Sequence, residues 1–207
     1  AGSSGALTFP GFRRYVVDES SARLFAFLHI SSIGLTPRVG ELLDLRNLDF
    51  NNAVKTAKNN KDLILGIKIR LGEESVGQHG PQALRLAKEA AKSIESPIIV
   101  HPGRLPKNLP MAEILDVVEK GDIITHCFPP AYPPLSEHPS IFDENHSVLP
   151  EIWRARERGV IFDVGHGMNS FSWDTTKSSL SQGFFPVIIS SDLHVYSIDG
   201  PSFDMPT

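Results

Sequence analysis

Short apolar runs alternate with longer mixed stretches along the whole chain. The runs are LFAFLHI (24–30), LILGIKI (63–69), IIVH (98–101), DIITHCF (122–128), VIFDV (160–164) and PVIIS (186–190). Their length and Ile/Val/Leu content predict strands buried on both faces, the mark of a parallel sheet. Helical patterns fall between them. Residues 51–59 predict a helix, and QALRLAKEAAKSIE (82–95) is rich in Ala, Leu, Lys and Glu. MAEILDVVEKG (111–121) reads as a helix closed by Gly121. VLPEIWRARERG (148–159), after a long Pro-rich loop, and residues 171–182 complete the set. The alternation predicts an α/β fold, either a doubly wound sheet or a TIM-type (β/α)8 barrel. Two observations favour the barrel. Chemically competent residues end several strands, where barrel active sites lie. After none of the strands does a glycine-rich phosphate fingerprint follow.

Six strand-helix units in 207 residues fall short of the eight in a closed barrel. The expectation is therefore one partial barrel domain over residues 1–207, cut at both ends, with open sheet edges and no activity by itself. Residues 1–7, AGSSGAL, read either as an expression remnant or as a loop leaving an earlier strand.

Charge and composition narrow the partners. A net charge of -4 without a Lys/Arg cluster gives no footprint for nucleic acid. The apolar runs are far shorter than the ~20 residues of a membrane span. The single cysteine, Cys127, makes no internal disulfide, which points to a reducing, cytoplasmic setting. The expected partner is a small-molecule substrate, with self-association left open.

Four residues each end a different apolar run: Lys68, His101, His126 and Asp192. Alternation along GIKIR turns Lys68 and Arg70 away from the face of Ile67 and Ile69. In a barrel strand that face is the interior, where a lysine loses basicity and becomes nucleophilic. Such an amine reacts with CO2 to give a carbamate that can bridge two metals; a lysine paired with a carboxylate at the strand mouth is the plain alternative. His101 and His126 sit at matching positions, as zinc-binding imidazoles do, although a lone strand-end histidine is more often packed or hydrogen-bonded. Asp192 is placed to bind metal and take a proton from water, or to cap a helix or loop. Arg70 suits a substrate carboxylate or a strand-end salt bridge. His166, between Gly165 and Gly167, is a substrate contact or a loop residue, and the two glycines allow close approach or a sharp turn. Asp163 and Cys127 read as structural, and His29 as core. His79 falls in a loop, His138 and His146 in the solvated Pro-rich segment, and His194 within reach of Asp192.

In order along the chain, GIKIR (66–70), VHPG (100–103), GDIITHCF (121–128), GVIFDVGHGMNSFSW (159–173) and IISSDLH (188–194) resemble the amidohydrolase superfamily. More narrowly they resemble its dihydroorotase-like amidohydrolase/deacetylase metallohydrolases. The opening GSSGA…FPGFRRYV is similar to the segment after that family's second strand. The resemblance implies a distorted (β/α)8 barrel with one or two divalent metals, usually zinc. It implies a carboxylated bridging Lys68, with His101 and His126 on the second metal. Asp192 would bind the first metal and act as general base on a bridging hydroxide, and Arg70 and His166 would meet substrate. The family's His-x-His pair on its first strand does not occur in these residues. The implied activity is metal-dependent hydrolysis of an amide, cyclic amide or ester, with deacetylation of a small acylated carboxylate ahead of dihydroorotase or aminoacylase chemistry. The alternatives are a non-catalytic barrel serving binding or assembly, and a phosphoesterase-type barrel that also uses a carboxylated lysine.

Overall fold

The structure is a computed structural model that describes residues 2–37, 39–130, 141–143, 145 and 147–200. His138 and His146 lie outside the described residues, as does most of the Pro-rich loop. The chain, expected to be one domain, divides into two compact units, Ala1–His101 and Pro102–Thr207. It is an α/β protein of the partial TIM-barrel kind, and each strand pairing within the two units is parallel.

In the first unit, β1 (Ala26–His29), β2 (Ile64–Arg70) and β3 (Ile98–His101) lie side by side in sequence order. Register places His29 beside Lys68, and Arg70 beside His101. Partnered residues on parallel strands face the same way, so His29, Lys68, Arg70 and His101 share one face of this sheet. The other face of β2 carries Ile67 and Ile69, both fully buried. Burial of each such side chain contributes roughly 1.5–3 kcal/mol.

A short helix, α1 (Phe9–Phe12), continues into a wider turn over Arg13–Val17. The helix α2 (Phe50–Asn59) is capped by the Asp49 carboxylate, which accepts from the Asn52 amide at 3.0 Å. Past β2, one helical turn, α3 (Glu73–Val76), precedes α4 (Gly80–Ser93), which opens on Pro81, a residue suited to a first turn. The α4 residues Ala83, Leu84, Ala87, Ala90 and Ala91 are fully buried, the stripe that a 3.6-residue period presents to a sheet. Small alanines let this helix lie close to β2.

The opening residues are part of this architecture. Gly5 bridges His29 in parallel, and the Ser4 carbonyl accepts from the His29 amide at 2.9 Å. A Cβ at Gly5 would collide with the backbone of Ser31 and Ser32. Gly5 is therefore packed into this unit.

In the second unit, α5 (Met111–Val117) precedes β4 (Ile123–Ile124), and α6 (Pro150–Glu157) precedes its parallel neighbour β5 (Ile161–Phe162). The helix expected to run to Gly121 stops four residues sooner, where Val118 turns extended. Gly121 itself has φ +89° and serves the turn into β4. The sixth expected strand is only a parallel bridge, Asp163 to Ile188. Hydrogen bonds from Val164 to Ile188, His166 to Ser190 and Gly167 to Ser191 still carry that run along β5 and its continuation. Behind it, α7 (Trp173–Ser181) is capped by Ser172. Phe162 and Phe184 meet edge to face at 5.3 Å in the core of this unit. Among the described residues no helix is long and apolar enough to cross a membrane.

Candidate functional site

Each unit holds one cluster of chemically competent side chains. In the first, Glu41 comes from the loop after β1 and is fully buried. Its two oxygens accept from Arg70 Nε at 2.8 Å and Nη2 at 2.7 Å, a fork-to-carboxylate pair. The Ser31 hydroxyl donates to the Glu41 carbonyl at 3.0 Å and fixes the loop. Arg70, a candidate substrate contact by sequence, is thus observed in the salt bridge that was its alternative. Glu41 was not singled out from sequence; it lies in PRVGELLD, a polar stretch with no periodic or motif signal.

His29 faces the same carboxylate. Its Nδ1 accepts from the Ser31 amide at 3.0 Å, so the neutral ring carries its proton on Nε2. That nitrogen is buried without a hydrogen-bond partner, 3.7 Å from Glu41 Oε1. Burial first, and then the positive charges of Lys68 and Arg70, lower the His29 pKa to about 3. His29 is therefore neutral, and its approach to Glu41 is not an ion pair. On the same face, Lys68 is half-buried, and the backbone of Gly2 lies against it. A Cβ on Gly2 would come 2.6 Å from Lys68 Cδ and 3.2 Å from Nζ.

The second cluster begins where β4 ends. His126 is buried, with φ +60°, a conformation uncommon outside glycine. Its Nδ1 lies 2.7 Å from the Gly165 carbonyl. A carbonyl only accepts, so Nδ1 carries the proton and Nε2 is the basic nitrogen. Nε2 faces Asp192 Oδ2 at 3.9 Å. Asp192 is itself left-handed, with φ +45°, and is partly open to solvent. Gly167 lies against it; a Cβ there would stand 3.0 Å from Asp192 Oδ2. Gly165 is tighter still, because a Cβ would collide with the Thr125 hydroxyl and lie 2.7 Å from His126 Nδ1.

Two electron-pair donors 3.9 Å apart are too far for a hydrogen bond. Two ligands on one tetrahedral ion, each about 2.1 Å from it, stand roughly 3.4 Å apart, so the pair is about half an ångström wider than a shared ion would hold it. A histidine whose other nitrogen is fixed by a backbone carbonyl is also what metal ligation asks of an imidazole. The fit of His126 and Asp192 to a divalent ion rests on donor chemistry, an imidazole nitrogen and a carboxylate oxygen. Among the described residues no group of three or more His, Cys, Asp or Glu side chains is gathered into a metal cluster.

His166 takes a different position. Its ring stacks on Phe171 at 4.3 Å, and Nδ1 lies 2.7 Å from the Gly167 carbonyl. Phe171 in turn meets Trp173 edge to face at 5.1 Å. Asp163 is buried, and its Oδ2 accepts from the hydroxyls of Thr125 at 2.6 Å and Ser190 at 2.8 Å. Cys127 is buried, with its thiol pKa pushed far up, first by burial and then by the Asp163 charge. Both were read as structural residues, and both are buried.

No protein-family model matches the chain. Three curated proteins, all deacetylases, match it along its whole length. Those of Brucella anthropi and Agrobacterium fabrum are each 34% identical over 209 residues, and the chain covers 50% and 49% of them. That of Enterococcus faecalis is 31% identical, with 54% covered. Among solved structures, a dihydroorotase superposes with TM-score 0.85 at 34% identity, over 98% of this chain and 52% of that one. An adenine deaminase superposes with TM-score 0.87 at 29% identity, over 96% and 52%. The chain belongs to the amidohydrolase superfamily, among its dihydroorotase-like and deacetylase-like members. It spans about half the length of the curated relatives it matches.

Proposed function

We propose that this chain serves a metal-dependent hydrolase of amide, cyclic amide or ester bonds, with a small acylated carboxylate as substrate and deacetylation as the leading reaction. The observation that carries the reading is the His126–Asp192 pair. A basic nitrogen and a carboxylate oxygen face each other at 3.9 Å, both on left-handed backbone. Deacetylases 34% identical along the whole chain support the reaction class.

In this reading Lys68, His101, His126 and Asp192 supply ligands for one or two divalent ions, zinc first, with Lys68 as its CO2-derived carbamate. When bound, the ion polarises the scissile carbonyl and makes water more acidic. The chain's own groups do the rest. The Asp192 carboxylate takes the proton of the attacking water and hands it to the leaving group. His126 keeps its proton on Nδ1, against Gly165, through the cycle. His166, flat on Phe171, offers a rigid edge to the substrate. Arg70, gripped by Glu41 through Nε and Nη2, braces the sheet face beside the substrate in this reading.

The test is hydrolysis of a panel of N-acetylated amino acids by the full-length protein, with zinc content measured alongside. Activity that falls with chelation, returns with zinc and drops at least about 100-fold in Asp192→Asn is the expected result. Undiminished turnover after exhaustive chelation would overturn the proposal.

A further inference from the structure

The Asp163 carboxylate ends β5 and uses one oxygen twice. Oδ2 accepts from Thr125 at 2.6 Å and from Ser190 at 2.8 Å. Oδ1 is buried and makes no hydrogen bond. A buried carboxylate satisfied on one side alone is costly, so it calls for an explanation.

The reason lies in which residues it grips. Thr125 immediately precedes His126. Cys127 immediately follows it, and the Cys127 amide donates to the Asp163 carbonyl at 3.1 Å. The Asp163 amide in turn donates to the Ile124 carbonyl at 2.9 Å. His126 thus sits in a segment whose neighbours on both sides are bonded to Asp163. Its φ of +60° is a strained setting that persists only where surroundings over-determine it. The second hydroxyl, Ser190, stands two residues before Asp192, which is left-handed as well.

We infer that Asp163 is a positioning residue: through the bonds of its carboxylate to Thr125 and Ser190 it holds His126 in the ring orientation that presents Nε2 to Asp192. The part concerning metal rests on the proposed reading of His126 and Asp192 as ligands; the part concerning the ring does not.

The experiment is 15N NMR of the His126 ring in the full-length protein without metal, together with zinc affinity by chelator competition. It compares wild type, Asp163→Ala, and the double variant Thr125→Val/Ser190→Ala. The double variant keeps the carboxylate and removes both hydroxyls, and it decides the matter where Asp163→Ala does not fold. Wild type shows one tautomer, with the proton on Nδ1. The variants show exchange between tautomers, and zinc binds them roughly 10–100-fold more weakly. A single, unchanged Nδ1–H tautomer in the folded variants overturns the inference, whatever zinc does. If the variants lose the tautomer while wild type takes up no zinc, Asp163 still positions the ring and the ligand reading falls.

Discussion

The two units arrange buried polarity in opposite ways. In the first, formal charges are matched inside the fold: Glu41 is forked by Arg70, and His29 stays neutral beside them. His29 and Arg70 lie on strands there, and Glu41 reaches them from a loop. In the second, Asp163 is met by two neutral hydroxyls, and the chain bends into left-handed conformations at His126 and Asp192. One cluster is held by electrostatic pairing, the other by close packing around left-handed backbone. The difference teaches where each fails. The first fails when a partner is removed, the second when space is filled.

The largest effect is expected at Glu41. Glu41→Gln leaves Arg70 with an uncompensated charge and should cost about 3–5 kcal/mol in urea unfolding, whereas Glu41→Met/Arg70→Met should recover most of it. A Glu41→Gln cost below about 1 kcal/mol would break the view that pairing holds this unit. Next comes Gly165→Ala in the second unit. Its φ of +51° and the collision with Thr125 and His126 place the cost at roughly 2–3 kcal/mol. Gly121→Ala has φ +89° but open space around the Cβ, so it should lose only about 1 kcal/mol. Equal losses at the two glycines in thermal unfolding would show that crowding contributes nothing.

His29 gives the first unit a pH dependence. Its folded pKa of about 3 lies below the usual 6.5, so on acidification the unfolded chain takes up the proton first. The stability tied to this group is complete above about pH 6.5 and is lost as pH falls toward 3. The slope is at most about 1.4 kcal/mol per pH unit. His29→Asn should flatten that limb when unfolding is measured between pH 6 and 4; an unchanged slope would remove His29 from the account. The smallest effect is Asp49→Ala, which strips the cap of α2 outside either cluster. A uniform loss of about 1 kcal/mol in urea unfolding, the same at both pH values, is expected.

Much of the frame was legible in the sequence because its signals are local. The Ile-rich β2 and the alanine stripe of α4 follow from side-chain period, and their residues lie within a position or two of expectation. Lys68, Arg70 and His101 fall on one sheet face because alternation along a strand is a two-residue rule. Glu41 was not legible, since its pairing with Arg70 bridges 29 positions and no pattern marks it. The left-handed backbone at His126 and Asp192 was equally hidden, since neither residue type demands it. The glycines of VGHG did signal close approach, but what approaches is the protein's own histidine and aspartate. The sixth strand was overcalled because PVIIS has the composition of a strand, while only Ile188 completes a bridge.

Cys127 has a bearing on which ions the second unit would accept. A thiolate beside His126 would make the neighbourhood soft and draw in thiophilic ions such as copper(I). Burial and the Asp163 charge keep the sulfur protonated, so it is a poor competitor for metal and slow to react with oxidants or alkylating agents. In the reading proposed above, an ion at His126 and Asp192 would meet a nitrogen and an oxygen donor, a pair suited to zinc and its harder neighbours. The thiol's inertness thus sets a chemical taste for the pair next to it.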